Sequence, residues 1–476
     1  MNHINFLKKT ESFLLEKKLD QNLVNLLETF IKESDDLSLF RINPYYFAKD
    51  HSLSENQSID LFLYSAKAGI FFMEWLLLCP RCGDPVKNFN KLLHVQNQYH
   101  CEFCRRDYQT YIDDSIKISF TIHPDIRKIS FHDPLNLTIE DYQYKYLFSR
   151  EGKIPGLGNK FTVFFRNRER FLKFIEPGET IEADLVAEKG FLEGNDLFHH
   201  VDFLIQVKED SKNDTNEIKA IFENDQLTVN QYEIKPGNYK FEIINKSNLK
   251  IPFSVYQLDE DFLTSKFNIE FDPYLTAKSL LNNKTFRDIF KGEDIVGASG
   301  LSIKDVTLLF TDLKGSTSLY ERIGDLKAFS LVQQHFDEVA QVIVRNSGVL
   351  IKTIGDAIMA SFLNPYDAMK ASIEMLEAIE NFNQRQHNKE IILKIGIHSG
   401  SSIAVTLNER IDYFGQIVNI AARVQGVAEG EEICFTREIF NFPNVDELVQ
   451  NGKLEMEEHL LKGLSKEIPI YKFSMN

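Results

Sequence analysis

Four cysteines carry the first sign of chemistry: Cys79-Pro80-Arg81-Cys82 and Cys101-Glu102-Phe103-Cys104 form two C-x2-C pairs eighteen residues apart. Two thiolates three residues apart on a tight turn can point at one ion, and two such turns complete a tetrahedral four-sulfur shell. A closed shell of this kind has no position for a reacting water, so the expectation is structural Zn2+ in a zinc ribbon that staples the fold. His94 and His100 stand nearby as substitute ligands and read as loop residues; Arg81, Arg105 and Arg106 read as solvated surface rather than a phosphate-binding face.

The C-terminal third places carboxylates where phosphoryl chemistry needs them. Val306 to Thr311 is an apolar strand that delivers Asp312 to its end, and Leu313-Lys314-Gly315-Ser316-Thr317 then opens a helix. A carboxylate beside exposed N–H groups at a helix start suits a metal and a phosphate tail together. Gly348 to Ile354 and Ala357 to Phe362 read as strands joined by Gly355-Asp356, a two-residue hairpin signal that sets Asp356 at the tip. If the hairpin neighbours the first strand, Asp312 and Asp356 share one end of a sheet and can bind two divalent cations. Each alone would more often be structural.

Further along, Asp412-Tyr413-Phe414-Gly415-Gln416-Ile417-Val418-Asn419-Ile420-Ala421-Ala422-Arg423 puts Asn419 and Arg423 four apart, on one helical face, where both can act on one ligand. Leu461-Lys462-Gly463-Leu464 sets a lysine before a glycine and a final strand, Ile468 to Phe473.

Taken together, Val306 to Phe473 resembles the class III nucleotidyl cyclase catalytic domain, which converts ATP or GTP to the 3′,5′-cyclic nucleotide and pyrophosphate. Arg41-Ile42-Asn43-Pro44, the Trp75-to-Cys82 stretch and the ribbon resemble, more weakly, a bacterial domain of unknown function found ahead of such cyclases. The resemblance implies a ferredoxin-like βαββαβ catalytic domain. It makes Asp312 and Asp356, with the Leu313 carbonyl as a further donor, the ligands of two Mg2+ or Mn2+ ions. Asn419 would position the ribose, Arg423 would meet charge growing on the α-phosphate, and Lys462 would grip the β- and γ-phosphates. Gly315, Ser316 and Thr317 would form the phosphate loop. Lys352 and Asp412 occupy the base-reading positions. A lysine donor and an aspartate acceptor fit the ring nitrogen and N6 amino group of adenine, whereas guanine would set its O6 acceptor against the aspartate. The expected activity is therefore adenylate cyclase, with ATP as substrate and cyclic AMP as a signalling product. Guanylate cyclase is the nearer alternative; a zinc-ribbon nucleic-acid-binding regulator that keeps the cyclase-like domain as a nucleotide sensor is the more distant one. In the family resembled, the sites lie at a dimer interface, and this chain carries the complete set, which implies a symmetric homodimer with two equivalent sites.

The elements that must position these residues follow from patterning. Leucines and phenylalanines recur at helical spacing from Phe6 to Lys32, Asn43-Pro44 breaks regularity, a second helix runs from Ser54 to Ala68 with Gly69 at its end, and Ile70 to Leu78 reads as a strand. That is a helical, winged-helix-like unit over 1–78, followed by the ribbon over 79–114. Short alternating runs such as Ile116 to Phe120, Phe161 to Phe165 and Tyr239 to Ile244, punctuated by Pro177-Gly178 and Pro236-Gly237, predict a β-sandwich over 115–262. A linker with a helix from Thr276 to Phe290 fills 263–299, and a strand–helix alternation runs through 300–476. The whole is a multidomain α+β chain.

Composition agrees with that partition. The 476 residues are 43% hydrophobic and 26% charged, enough apolar material for several cores and far from a disordered composition. Seventy acidic residues against 54 basic give a formal charge of −16, so nucleic acid is not the expected partner. Five cysteines make no disulfide framework and suit a reducing compartment. The N-terminus shows no signal peptide, and the apolar stretch Ile59 to Leu78 carries Asp60, Lys67 and Glu74, so the expectation is a cytoplasmic protein without a membrane span.

Overall fold

A computed structural model describes residues 2–15, 19–79, 85–89, 98–101, 106–109, 113, 115–153, 161–196, 199, 201–260, 270–290, 301–386, 390–407 and 410–475. The chain is mixed α/β and divides into two compact units, the first running to Leu275 and the second from Thr276 onward, with Asp113 counted in the second.

The first unit opens with helices α1 (His3–Leu15), α2 (Gln21–Glu33), α3 (Pro44–Asp50) and α4 (Glu55–Lys67). Asn43-Pro44, expected to interrupt regular structure, instead begins α3. The Asn43 side chain accepts from Tyr45 N, and proline fits the first helical position because its missing N–H would be unsatisfied there anyway. Ser54 and Gln57 close a reciprocal cap on α4, and Gly69 follows its end. Strand β1 (Phe71–Leu78) then pairs with β2 (Pro85–Phe89) on one side and β3 (Ile116–Ile122) on the other. The run expected to open the sandwich, 116–120, thus completes the N-terminal sheet. All seven positions of the strand Ile116–Ile122 are buried, so alternation does not report the sheet to which it belongs. Phe62 of α4 stacks on Phe120 and meets Phe71 edge-on, which fixes helix to sheet.

Two further sheets share one core. Strands 233–234, 201–207, 190–196, 251–258 and 169–175 lie in that order in one, and 226–229, 217–223, 237–245 and 180–187 in the other. Phe171, Phe222, Phe241 and Phe253 fill the space between them. Alternation is clean in Glu217–Glu223, where Ile218, Ala220 and Phe222 point inward. Phe161–Arg166 is a helix, not the expected strand. Five residues crowded with aromatics fit either period, and packing of Phe165 against Phe148 and Tyr256 decides the outcome.

The segment read as a linker helix is two short helices in the second unit, α5 (Ala277–Leu281) and α6 (Lys284–Ile289), because Asn283 caps the second and ends the continuity. Beyond it come β4 (Leu301–Leu313), α7 (Ser316–Ile323), α8 (Asp325–Arg345), β5 (Val349–Ile354), β6 (Ala357–Phe362), α9 (Pro365–Arg385), β7 (Leu393–Leu407), β8 (Arg410–Phe414), α10 (Gln416–Val427), β9 (Glu432–Thr436), β10 (Gly452–His459) and β11 (Ile468–Met475). The sheet order is β5-β6-β4-β7-β9-β11-β10, with β8 paired to β7. Its first four strands have the arrangement of a split βαβ unit. Ile433 and Phe435 of β9 enter the core shared with α8 and α9, while Cys434 between them enters a smaller core with Val424 of α10. Helices therefore cover both faces, and α10 holds its own. No helix among the described residues is long and apolar enough to cross a membrane.

Candidate active site

Asp312 sits one residue before the end of β4, opposite Lys394 of β7. Ile354 pairs with Ala357, so Gly355-Asp356 is a two-residue turn, and β6 runs beside β4. The sheet thereby brings the two carboxylates to one end. Burial raises the Asp312 carboxyl above its ordinary range and the Asp356 charge raises it further, with Lys394 opposing. Asp356 Oδ2 is buried with no hydrogen-bond partner. Two carboxylates that repel each other, one with an orphaned oxygen, form a donor set that fits a divalent cation. Leu313 is buried beside them at the strand end. Gly315 follows with φ +72°, a left-handed turn that glycine adopts without strain, and caps α7, whose first turn is Ser316 and Thr317.

Lys352 and Asp412 come together from distant parts of the sequence. A bulge between Leu350 and Lys352 shifts the register of β5 and turns Lys352 to the opposite face from that simple alternation would give. Its Nζ lies 2.5 Å from Asp412 Oδ2 on β8, and Asp412 Oδ1 accepts from Tyr413 N at 2.8 Å. The lysine is about two-fifths exposed and the aspartate mostly buried, so the pair lies at the rim of the fold.

Arg423 and Lys462 form a third grouping. A Cβ built on Gly463 would lie 3.4 Å from Arg423 Nη1, so the guanidinium rests against the turn that carries Lys462. Asn419, one turn earlier on α10, is exposed. The helix can lie this close to the sheet because of Gly396 in β7, where a Cβ would come within 2.1 Å of Gln425 N.

Of the four cysteines in the expected zinc site, Cys79 and Cys101 are buried, and Cys82 and Cys104 lie outside the described residues. Among the described residues no group of three or more His, Cys, Asp or Glu side chains could hold a metal.

Sequence reasoning missed Lys394, which faces Asp312 only through strand register, and His335. The latter is fully buried on α8 within the influence of Asp356, and burial pulls it down to about 4, so it stays neutral. A lone histidine on the apolar face of a helix carries no local signature.

Residues 8–288 match a family described as "Family of unknown function (DUF5939)", and residues 300–471 match the adenylate and guanylate cyclase catalytic domain. The second unit is thus similar to class III cyclase catalytic domains. An adenylate cyclase of Anabaena cylindrica is 30% identical over 152 residues, covering 29% of this chain and 30% of that protein. Adenylate cyclase 2 of Rhizobium meliloti (strain 1021) is 32% identical over 132 residues, covering 25% and 36%. The chain spans about a third of the length of these two curated relatives. A crystal structure of the adenylyl cyclase CyaB from P. aeruginosa aligns at 22% identity over 36% of this chain and 95% of that one, with a TM-score of 0.32.

Proposed function

We propose, for a chain that belongs to the DUF5939 family of unknown function and carries a cyclase catalytic domain behind that region, that it is a cytoplasmic adenylate cyclase regulated by its N-terminal part. The observation that carries ATP over GTP is the Lys352–Asp412 pair, a donor and an acceptor held at one point of the rim. Against adenine the lysine donates to a ring nitrogen and the aspartate accepts from the N6 amino group; guanine would oppose its O6 to the carboxylate.

Asp312 and Asp356, with the Leu313 carbonyl, would hold Mg2+ or Mn2+. When bound there, such ions supply Lewis-acid charge that favours the ribose 3′-oxyanion and offsets the triphosphate. Asn419 orients the ribose so that the 3′-oxygen lies in line with the α-phosphorus. As the 3′-hydroxyl gives up its proton to solvent, the new P–O bond forms and the bond to the leaving pyrophosphate breaks, Arg423 balances charge on the α-phosphate and Lys462 steadies the departing phosphates. The N–H groups at the start of α7, with Gly315, Ser316 and Thr317, face the same anion.

A symmetric homodimer completes this reading. Ile354 on β5 and Phe414 on β8, the strands that carry Lys352 and Asp412, and Ile403 and Leu407 on β7, which pairs with β8, are exposed large apolar residues, a pattern expected of a surface that a second copy covers. In the N-terminal part, Cys79, Cys82, Cys101 and Cys104 would hold one structural Zn2+. Zinc analysis of the purified protein against a Cys79→Ser variant tests that assignment, and equal zinc in both would remove it.

The deciding experiment incubates the full chain with Mg2+ or Mn2+ and equal ATP and GTP and identifies products by mass. Cyclic AMP that disappears in Asp312→Ala supports the reaction, the nucleotide and the carboxylate together. Cyclic GMP as the main product would reverse the reading of Lys352 and Asp412, and no cyclic product would reject the activity.

A further inference from the structure

The short helix α6, outside the strands that carry the candidate site, reaches β8, the strand that carries Asp412. Arg287 is largely buried. Its Nη1 donates to Leu281 O at 3.1 Å, and its Nη2 donates to Ile411 O, the residue before Asp412 on β8. Burial lowers the guanidinium's hold on its proton, and the charges of Tyr413 and Asp412 nearby oppose that without cancelling it. Such a fork must be held rigidly to be useful, and α6 is. Asn283 caps it by accepting from Phe286 N at 2.8 Å, and Phe286 is buried beneath it.

Five residues before Arg287, Asn282 is buried and bonds to the far end of the same hairpin that carries Lys352. Its Nδ2 donates to Ser347 O at 3.2 Å, and its Oδ1 accepts from Ser361 Oγ at 2.6 Å. Ser347 lies two residues before β5, the strand of Lys352, and Ser361 pairs with Val349 of that strand. A six-residue stretch, 282–287, therefore links the turn before β5 and strand β6 to β8, the strand of Asp412. The bridge matters most on the Asp412 side, because among the described residues β8 pairs with β7 alone. An edge strand with one partner has little else to hold its side chains in register.

We propose that Arg287 is a positioning residue for purine recognition, acting through β8 to keep Asp412 against Lys352 at the distance adenine needs. The proposal rests on the reading of Lys352 and Asp412 as the base-contacting pair. It assigns Arg287 no contact with substrate. It also makes the stretch just after the first unit a determinant of nucleotide selectivity, not merely a spacer.

The test uses the full chain and measures kcat and KM for ATP and GTP in Arg287→Ala, Asp412→Ala and the double variant. Arg287→Ala is expected to raise KM for ATP by about tenfold, the scale of one charge-assisted hydrogen bond, with kcat changed much less and the preference for ATP over GTP narrowed to match. If Arg287 acts through Asp412, the double variant shows no more than the larger single effect. Arg287→Lys keeps the charge but cannot bridge two carbonyls, so it should recover part of the ATP affinity. It also carries the test by itself, with the same direction of change, if the alanine variant does not fold. An unchanged KM for ATP in Arg287→Ala, or in the lysine variant standing in for it, beside a raised one in Asp412→Ala overturns the role of Arg287. Full additivity in the double variant overturns it as well. An Asp412→Ala variant that keeps the ATP affinity and the ATP-to-GTP ratio brings down the base-pair reading itself, and the inference with it.

Discussion

Lys117–Glu151 in the first unit and Lys352–Asp412 in the second are both lysine–carboxylate pairs drawn to 2.5 Å, in opposite surroundings. The first pair is 2% and 1% exposed, and Glu151 also accepts from Ser149 Oγ at 2.8 Å and from Asn43 Nδ2 at 3.3 Å. Taking two charges out of water costs several kcal/mol each, and full hydrogen bonding of this kind offsets it. The second pair is 38% and 11% exposed, with Arg287 bonded to the backbone of Ile411 beside Asp412 and with room at Lys352 for further acceptors. Asp356 goes further and leaves a buried oxygen with no partner at all. The Lys117–Glu151 pair is dry and saturated, whereas Lys352, Asp412 and Asp356 keep unused capacity at the rim and the strand end.

The largest effect expected from this contrast is at the unsaturated carboxylates. Asp356→Ala or Asp312→Ala should lower turnover by about a thousandfold or more, since charge stabilisation of several kcal/mol is lost. Thermal unfolding should hold or improve, because each substitution relieves repulsion between the two acids. Turnover within tenfold of the parent, or a steep loss of stability, would place these residues with the saturated class.

Next in size is the saturated pair. Lys117→Met strands Glu151 in the interior and should cost about 3–5 kcal/mol in urea denaturation, whereas replacing both partners, Lys117→Met with Glu151→Leu, should recover most of it. A mild single variant would mean that water reaches Glu151. The matching change at the rim, Lys352→Met, should cost no more than about 1 kcal/mol of stability, as exposed pairs do, while raising KM for ATP by about tenfold. If Lys352→Met behaved like Lys117→Met, the distinction between the two pairs would fail.

The same distinction explains what the sequence discloses. Asp312, Asp356, Asn419 and Arg423 are legible because local geometry fixes them: a strand end, a two-residue turn, and a spacing of four on a helix. Lys352 and Asp412 are sixty residues apart, and a resemblance pointed to them where spacing could not. Arg287 and Lys117 leave no trace in the sequence, since a charge that will be buried looks like any surface charge until its partner is known. The expectations for 116–120, as part of the sandwich, and for 161–165, as a strand, fail for a related reason. The first is buried along its whole length and the second is dense in aromatics, so neither shows the periodicity that tells sheet from sheet or strand from helix.

The smallest expected effect separates the pairs by pH. Burial pushes Glu151 up, but Lys117 and the hydroxyl of Ser149, with Arg150 behind them, outweigh it and hold the carboxyl below its ordinary 4.5. A carboxyl depressed in the folded state contributes stability that is present above its unfolded value and lost as pH falls through its folded one. Arg41, Tyr46 and Asp272 also lie around the pair and are common to both proteins compared. The parent protein should therefore lose stability on going from pH 6 to pH 3 more steeply than Glu151→Gln, by at most about 1.4 kcal/mol per pH unit for the single group. Denaturation curves at several pH values in that range read the difference between the two slopes. Parallel slopes would mean that Glu151 is not held charged by Lys117, and the first unit's pair would then be no more committed to the fold than the pair at the catalytic rim.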